Sequence, residues 1–181
     1  MNSRYTTAAL TISVALTATG CATTGIPADP VVTGSDCGTE GLAAPFEQVD
    51  PCDPEQVLTA ALRAVFGYRP DVQADPADAL DAARPLLDDR FAADAAASAL
   101  VWSSVTTALW QQWRHDRVPV VTTVRVRPDD HPPDTATQVA RVVSVDIDAP
   151  VSDPGAFAVY ATATRIGTGT GWRLSGVQVS Q

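Results

Sequence analysis

WRHDRVPVVTTVRVR, residues 113–127, is the stretch in which the chain changes its apolar period, and that change decides the fold. Before it, apolar residues recur at three- and four-residue steps. Ser98–Arg117 carries Val101, Trp102, Val105, Leu109, Trp110 and Trp113 on one side, which predicts one long helix. Arg114, His115 and Arg117 close it, cations suited to the negative end of a helix dipole. After it the period is two. Val120, Thr122, Val124 and Val126 face one way, with Arg125 and Arg127 opposite, so Val118–Arg127 reads as a half-buried strand.

Towards the N-terminus the helical period persists. Asp53-Pro54-Glu55-Gln56 opens a helix, with Asp53 as cap, Pro54 in the first turn and Gln56 placed to close a capping box. Val57, Leu58, Ala61, Leu62, Val65 and Phe66 form its apolar stripe, which Gly67 stops. Asp75-Pro76-Ala77-Asp78 starts a second helix carrying Leu80, Ala83, Leu86 and Leu87, and Pro85 breaks or restarts it. Leu87, Phe91 and Ala95 extend a stripe beyond the break.

Towards the C-terminus the two-residue period persists. Asp129–Thr135 is a polar loop, Gln138–Asp148 a strand with Val139, Val143, Val145 and Ile147 aligned, and Phe157–Ile166 a third strand. Gly167–Gly171 is a tight connection and Trp172–Val179 a fourth strand. In that last strand Val177 and Val179 fall out of phase with Trp172 and Leu174, and a bulge at Ser175-Gly176 would return all four to one face. Helices followed by an antiparallel meander predict an α+β fold, N-terminal helices packed on a curved four-stranded sheet over residues 53–181.

The remaining residues read as an address and a tether. Met1–Tyr5 carries one charge, at Arg4, Thr6–Thr17 is mildly apolar, and Ala18-Thr19-Gly20-Cys21 follows. A charged start, a short apolar run and small residues at the cut describe a secretory signal peptide over 1–20. The run falls short of the roughly 20 apolar residues that span a bilayer. Its ending resembles the lipobox of bacterial lipoproteins, which implies diacylglycerol, and hence palmitate-type chains, on the Cys21 sulfur. The resemblance places the protein on the extracytoplasmic face of the cell membrane, lipid-anchored; plain secretion with Cys21 incidental is the alternative. Residues 21–52 are rich in Gly, Pro, Thr, Ala and Asp without a sustained period, the composition of a flexible tether. Cys37 and Cys52 remain after Cys21, and in an oxidising compartment they are expected to be bridged.

Composition narrows the partners. The 181 residues carry a net charge of −9, which repels a phosphate backbone and sets nucleic acid aside. All 12 basic residues are Arg, and with abundant Ala, Asp, Pro and Val this suggests a GC-rich genome. Acids dominate from Cys21 to Asp116, 15 against 5 Arg, and balance Arg beyond, 6 of each, as expected for a solvated helical layer over a sheet.

The layout resembles the nuclear-transport-factor-2-like fold, a bent sheet wrapped on helices into a cone. The features that carry the likeness are the opening amphipathic helix, Phe66-Gly67-Tyr68-Arg69, the Leu-rich stretch to Phe91, and the ending Gly171-Trp172-Arg173-Leu174 with Val177 and Val179. It is similar to small exported actinobacterial proteins associated with mammalian-cell-entry transporters, and to periplasmic domains of type IV secretion subunits. The resemblance implies a non-catalytic accessory or assembly subunit of a cell-envelope complex, with other envelope proteins as partners.

Chemistry-bearing patterns are sparse. His115-Asp116 are adjacent on a helix and point about 100° apart, which suits a solvated helix end better than a dyad. His131 among Asp129, Asp130 and Asp134 has no second imidazole, so no metal is expected there. Gly167, Gly169 and Gly171 precede a strand rather than a helix, which suits a turn rather than a phosphate loop. No catalytic residue and no cofactor are expected. Trp102, Trp110, Trp113, Tyr160 and Trp172 are candidates for lining a pocket, and a lipid- or small-molecule-binding module with an apolar ligand in the cone interior is the alternative function.

Overall fold

The computed structural model describes residues 37–38, 41–128, 130–150 and 155–180. The signal segment, Cys21 and the tether up to residue 36 lie outside the described residues.

Four helices precede a four-stranded antiparallel sheet, the expected α+β order: α1 (Pro54–Val65), α2 (Asp78–Ala83), α3 (Asp89–Ala99), α4 (Thr107–Asp116), then β1 (Val121–Val126), β2 (Gln138–Asp148), β3 (Gly155–Thr164) and β4 (Arg173–Ser180). The strands are ordered β1-β2-β3-β4, and the sheet curls without closing.

At the start of α1 the Asp53 carboxylate accepts from the Glu55 and Gln56 amides, at 2.9 and 3.1 Å. Gln56 does not close the box on the Asp53 amide, because that N–H already donates to Asp50 O at 3.1 Å. Its carbonyl oxygen accepts from the Asp50 amide instead, at 3.2 Å. The buried stripe is the expected one, Val57, Leu58, Ala61, Leu62 and Val65, continued by Phe66. The second helix starts three residues later than Asp75, because Asp75 accepts from the Ala77 amide and spends that turn outside the helix. Pro85 then tightens the chain into a 3-10 turn, Arg84–Leu86, and Asp88 caps α3.

The long helix expected over Ser98–Arg117 is interrupted. Ser98 and Ala99 end α3, residues 100–106 turn, and α4 begins after Thr106, whose hydroxyl accepts from the Leu109 amide at 3.2 Å. Ser103, Ser104 and Thr106 compete with helical hydrogen bonding, and Val101, Val105 and Thr106 are β-branched. Buried Trp102 and Val105 therefore reach the core from irregular chain, with Trp102 stacked on Phe91 at 6.1 Å and 7°.

In the sheet, Val124, Val143, Val145 and Ile147 are buried on the helix-facing side together with Val159, Ala161 and Ala163. The bulge is where the pattern placed it. Thr162 pairs with Gly176 and Ala163 with Leu174, leaving Ser175 as the extra residue and returning Leu174, Val177 and Val179 to the core side. The third and fourth strands are displaced towards opposite ends of their expected ranges, by two residues and by one.

The expected boundary at Asp53 moves outward. Cys37 and Cys52 form a disulfide with Cα atoms 5.6 Å apart. Cys37 is 1% exposed, Pro51 is buried, and Leu42, Phe46 and Val49 pack against the core. The Trp172 amide donates to Pro51 O at 2.8 Å. Opposite it, a Cβ on Gly171 would lie 3.1 Å from the Pro51 Cβ, so a side chain there would require the strap to give by a few tenths of an ångström. The latter part of the tether is thus a docked strap rather than free linker.

Candidate functional site

The five aromatic candidates do not share one cavity. Trp102, Trp110, Trp113 and Trp172 are 7%, 1%, 0% and 4% exposed and belong to the core. Trp110 meets Tyr68 edge-on at 5.8 Å and Trp113 at 6.3 Å, and its indole N–H donates to Ala74 O at 3.0 Å. Trp172 carries the Arg165 guanidinium 4.5 Å from its ring. Tyr160 is 51% exposed and pairs across strands with Val142, on the face of the sheet turned away from the helices. Period two assigns Tyr160 to the face opposite Val159 and Ala161, so alternation alone separates it from the tryptophans.

His115 and Asp116 are exposed in the last turn of α4, and the helix closes on Arg117 in the left-handed region, φ 52°. The Gly167–Gly171 connection is a turn, with the Thr170 amide donating to Gly167 O at 3.0 Å. Cys21 lies outside the described residues. No group of three metal-ligating side chains is found among the described residues. Behind Trp110, the Tyr68 hydroxyl shares a 2.8 Å hydrogen bond with Ser103. Burial pushes its pKa up to about 12 against the opposing pull of that bond, so the phenol is neutral at physiological pH.

Sequence reasoning missed Arg141. Counting from Val139 and Val143, it stands on the apolar side of β2, and its side chain is 11% exposed. The guanidinium grips Asp134 with two bonds, of 2.6 and 2.7 Å. Its Nε donates to Glu55 at 2.7 Å and Nη1 to Ala140 O at 2.8 Å. His131 Nδ1 lies 3.4 Å from Nη1 and 2.9 Å from Pro132 O. One cation thereby ties the first turn of α1 and the 130–137 loop to the sheet. The signal was legible, a charge at a core position of an otherwise apolar alternation, but its acceptors lie 7 and 86 residues away.

The bond from Arg141 holds the Asp134 carboxyl below the usual carboxylate range, helped by the charges of Arg141 and His131 and opposed by partial burial. The bond to Asp134 likewise raises the Arg141 pKa. A folded-state pKa that is depressed contributes stability above the unfolded value, about 4, and loses it as pH falls through the folded value. Asp134 is 44% exposed, so solvent screening keeps the contribution to about 1 kcal/mol. We expect Asp134→Asn to be less stable than the parent by that amount above pH 5, with the gap closing as the parent is acidified. Urea unfolding across pH 3–7 checks this, and a gap that persists at the acid end would refute the assignment.

No family model matches the chain, and no curated protein or solved structure matches it at a significant level.

Proposed function

We propose that the chain is a lipid-anchored extracytoplasmic protein, held through Cys21, that serves as a non-catalytic accessory or assembly subunit of a cell-envelope complex. The observation that carries the reading is the Cys37–Cys52 disulfide, 16 residues beyond the small-small-Cys ending, since such bonds persist in oxidising compartments. The strap that it closes packs on the domain. No helix among the described residues is long and apolar enough to cross a membrane, which fits attachment by lipid. The resemblance to nuclear-transport-factor-2-like envelope proteins, which rests on the sequence layout alone, would imply the same role.

Of the two functions open from the sequence, docking is favoured over a ligand held against the tryptophans, because those rings pack on one another and on core side chains. The test is purification of the tagged full-length protein from gently solubilised membranes of its own host, alongside Cys21→Ser. The expected result is membrane retention that is lost in the variant, with other envelope proteins co-purifying. Retention unchanged by Cys21→Ser would overturn the anchor. Recovery of the parent without protein partners would overturn the assembly role.

A further inference from the structure

We propose that a groove between the docked strap and helices α1 and α2 binds an anionic amphiphile with a single alkyl tail, its carboxylate held by Arg63, Arg69 and Gln73. The groove encloses about 580 Å³, within the range of about 300–1,000 Å³ usual for small-molecule sites. Phe46 of the strap, Ala64 of α1, Val72 and Ala82 give it apolar walls. Val72 is 64% exposed, a large aliphatic side chain left in water beside other apolar groups.

The polar groups at the groove are what select an anion. Arg63 and Arg69 both line it, and neither side chain has an ion pair or hydrogen bond among the described residues, although the chain's net charge is −9. Gln73 is 9% exposed, and its carbonyl oxygen accepts from the Arg69 amide at 2.6 Å. A backbone N–H can only donate, which fixes the orientation of the Gln73 amide and leaves Nε2 as a donor. That nitrogen has no protein partner among the described residues, yet no buried side-chain nitrogen or oxygen is left unsatisfied. It therefore reaches solvent, and Gln73 lines this groove.

One carboxylate also lines the groove, that of Asp78. It is engaged by the Ala74 amide at 2.6 Å. Two guanidinium groups and an amide donor beside an apolar wall suit an acidic head on an alkyl tail; a neutral alcohol would leave the charges uncompensated. The open side of the groove suits one tail lying along the surface rather than a swallowed two-tailed lipid.

Calorimetric titration of the full-length protein with decanoate, below its micelle concentration, tests the proposal against 1-decanol and acetate. Saturable one-to-one binding of decanoate is expected, about tenfold tighter than 1-decanol, with acetate too weak to measure. Arg69→Gln should weaken decanoate about threefold to tenfold, the lower figure reflecting its exposure to solvent. Ala82→Trp, an exposed position on α2, should fill the groove and abolish binding while leaving the melting temperature in place. An absence of decanoate binding overturns the proposal. So does 1-decanol binding as tightly as decanoate, or acetate binding as tightly as decanoate. Binding that survives both variants places the ligand elsewhere and also overturns it.

Discussion

Replacing Trp110 with Ala is expected to destabilise the domain by about 3–5 kcal/mol, the cost of deleting a large buried aromatic side chain and leaving a cavity. The side chain is 1% exposed and lies between Tyr68 and Trp113. Its indole N–H also anchors the loop after Gln73 through Ala74 O. Trp110→Phe separates the two contributions, since it keeps an aromatic ring and loses the donor. Ala74 is exposed, so water can replace the lost bond, and about 1 kcal/mol is expected for that part beyond the cost of imperfect filling. Urea unfolding of the parent and both variants provides the measurement. A loss below about 1 kcal/mol for Trp110→Ala would mean that the ring is not packed, because truncation at an exposed wall removes few contacts. That outcome would return the tryptophans to the role of pocket lining.

The division of labour between the four tryptophans and Tyr160 shows which features of the fold were legible. The strands were, because period two is a backbone property, and the fit of Val177 and Val179 to one face depends on a single extra residue at Ser175. The start of α1 was legible for a similar reason, since Asp53 and Pro54 act within one turn. The break between α3 and α4 was not. Residues 100–106 carry a helical apolar spacing, and that spacing hides two effects that act together: Ser103, Ser104 and Thr106 are weak helix formers, and tertiary contacts hold the turn, with Trp102 on Phe91 and the Ser103 hydroxyl on Tyr68, 35 residues earlier. Apolar spacing alone does not report either effect.

The same reasoning explains what was hidden at the two polar sites. Arg141 could be noticed on its strand, but the carboxylates that satisfy it could not be assigned without the turn of the 130–137 loop. Gln73 and Arg69 gave no signal of a binding site, because neither belongs to a periodic segment and Arg69 counted only within Phe66-Gly67-Tyr68-Arg69. Their meaning comes from the strap, which brings Phe46 against α1 and walls the groove. Composition described that segment as tether, correctly as to its Gly, Pro and Thr, yet Leu42, Phe46 and Val49 were enough to dock it once the disulfide shortened its excursion.

Removing the disulfide with Cys37→Ser/Cys52→Ser is therefore expected to act at two levels. The loop of about 16 residues sets the global effect, roughly 3 kcal/mol by loss of the constraint on the unfolded chain, or a fall in melting temperature of about 10 °C. The local effect follows from what else holds the strap: half-buried Leu42, Phe46 and Val49, and the bond from the Trp172 amide to Pro51 O. These contacts remain in the variant, but the strap must now be ordered by them alone. Amide exchange over 41–50 should accelerate before the sheet opens, because a segment with few buried contacts opens at lower free energy than the core. Exchange in β2 and β3, the two central strands, should change only by the global amount. Equal acceleration everywhere would show that the bond stabilises only through the unfolded state. A melting temperature within 2 °C of the parent would overturn the global part, since it would show that the bond does not stabilise the domain by constraining the unfolded chain.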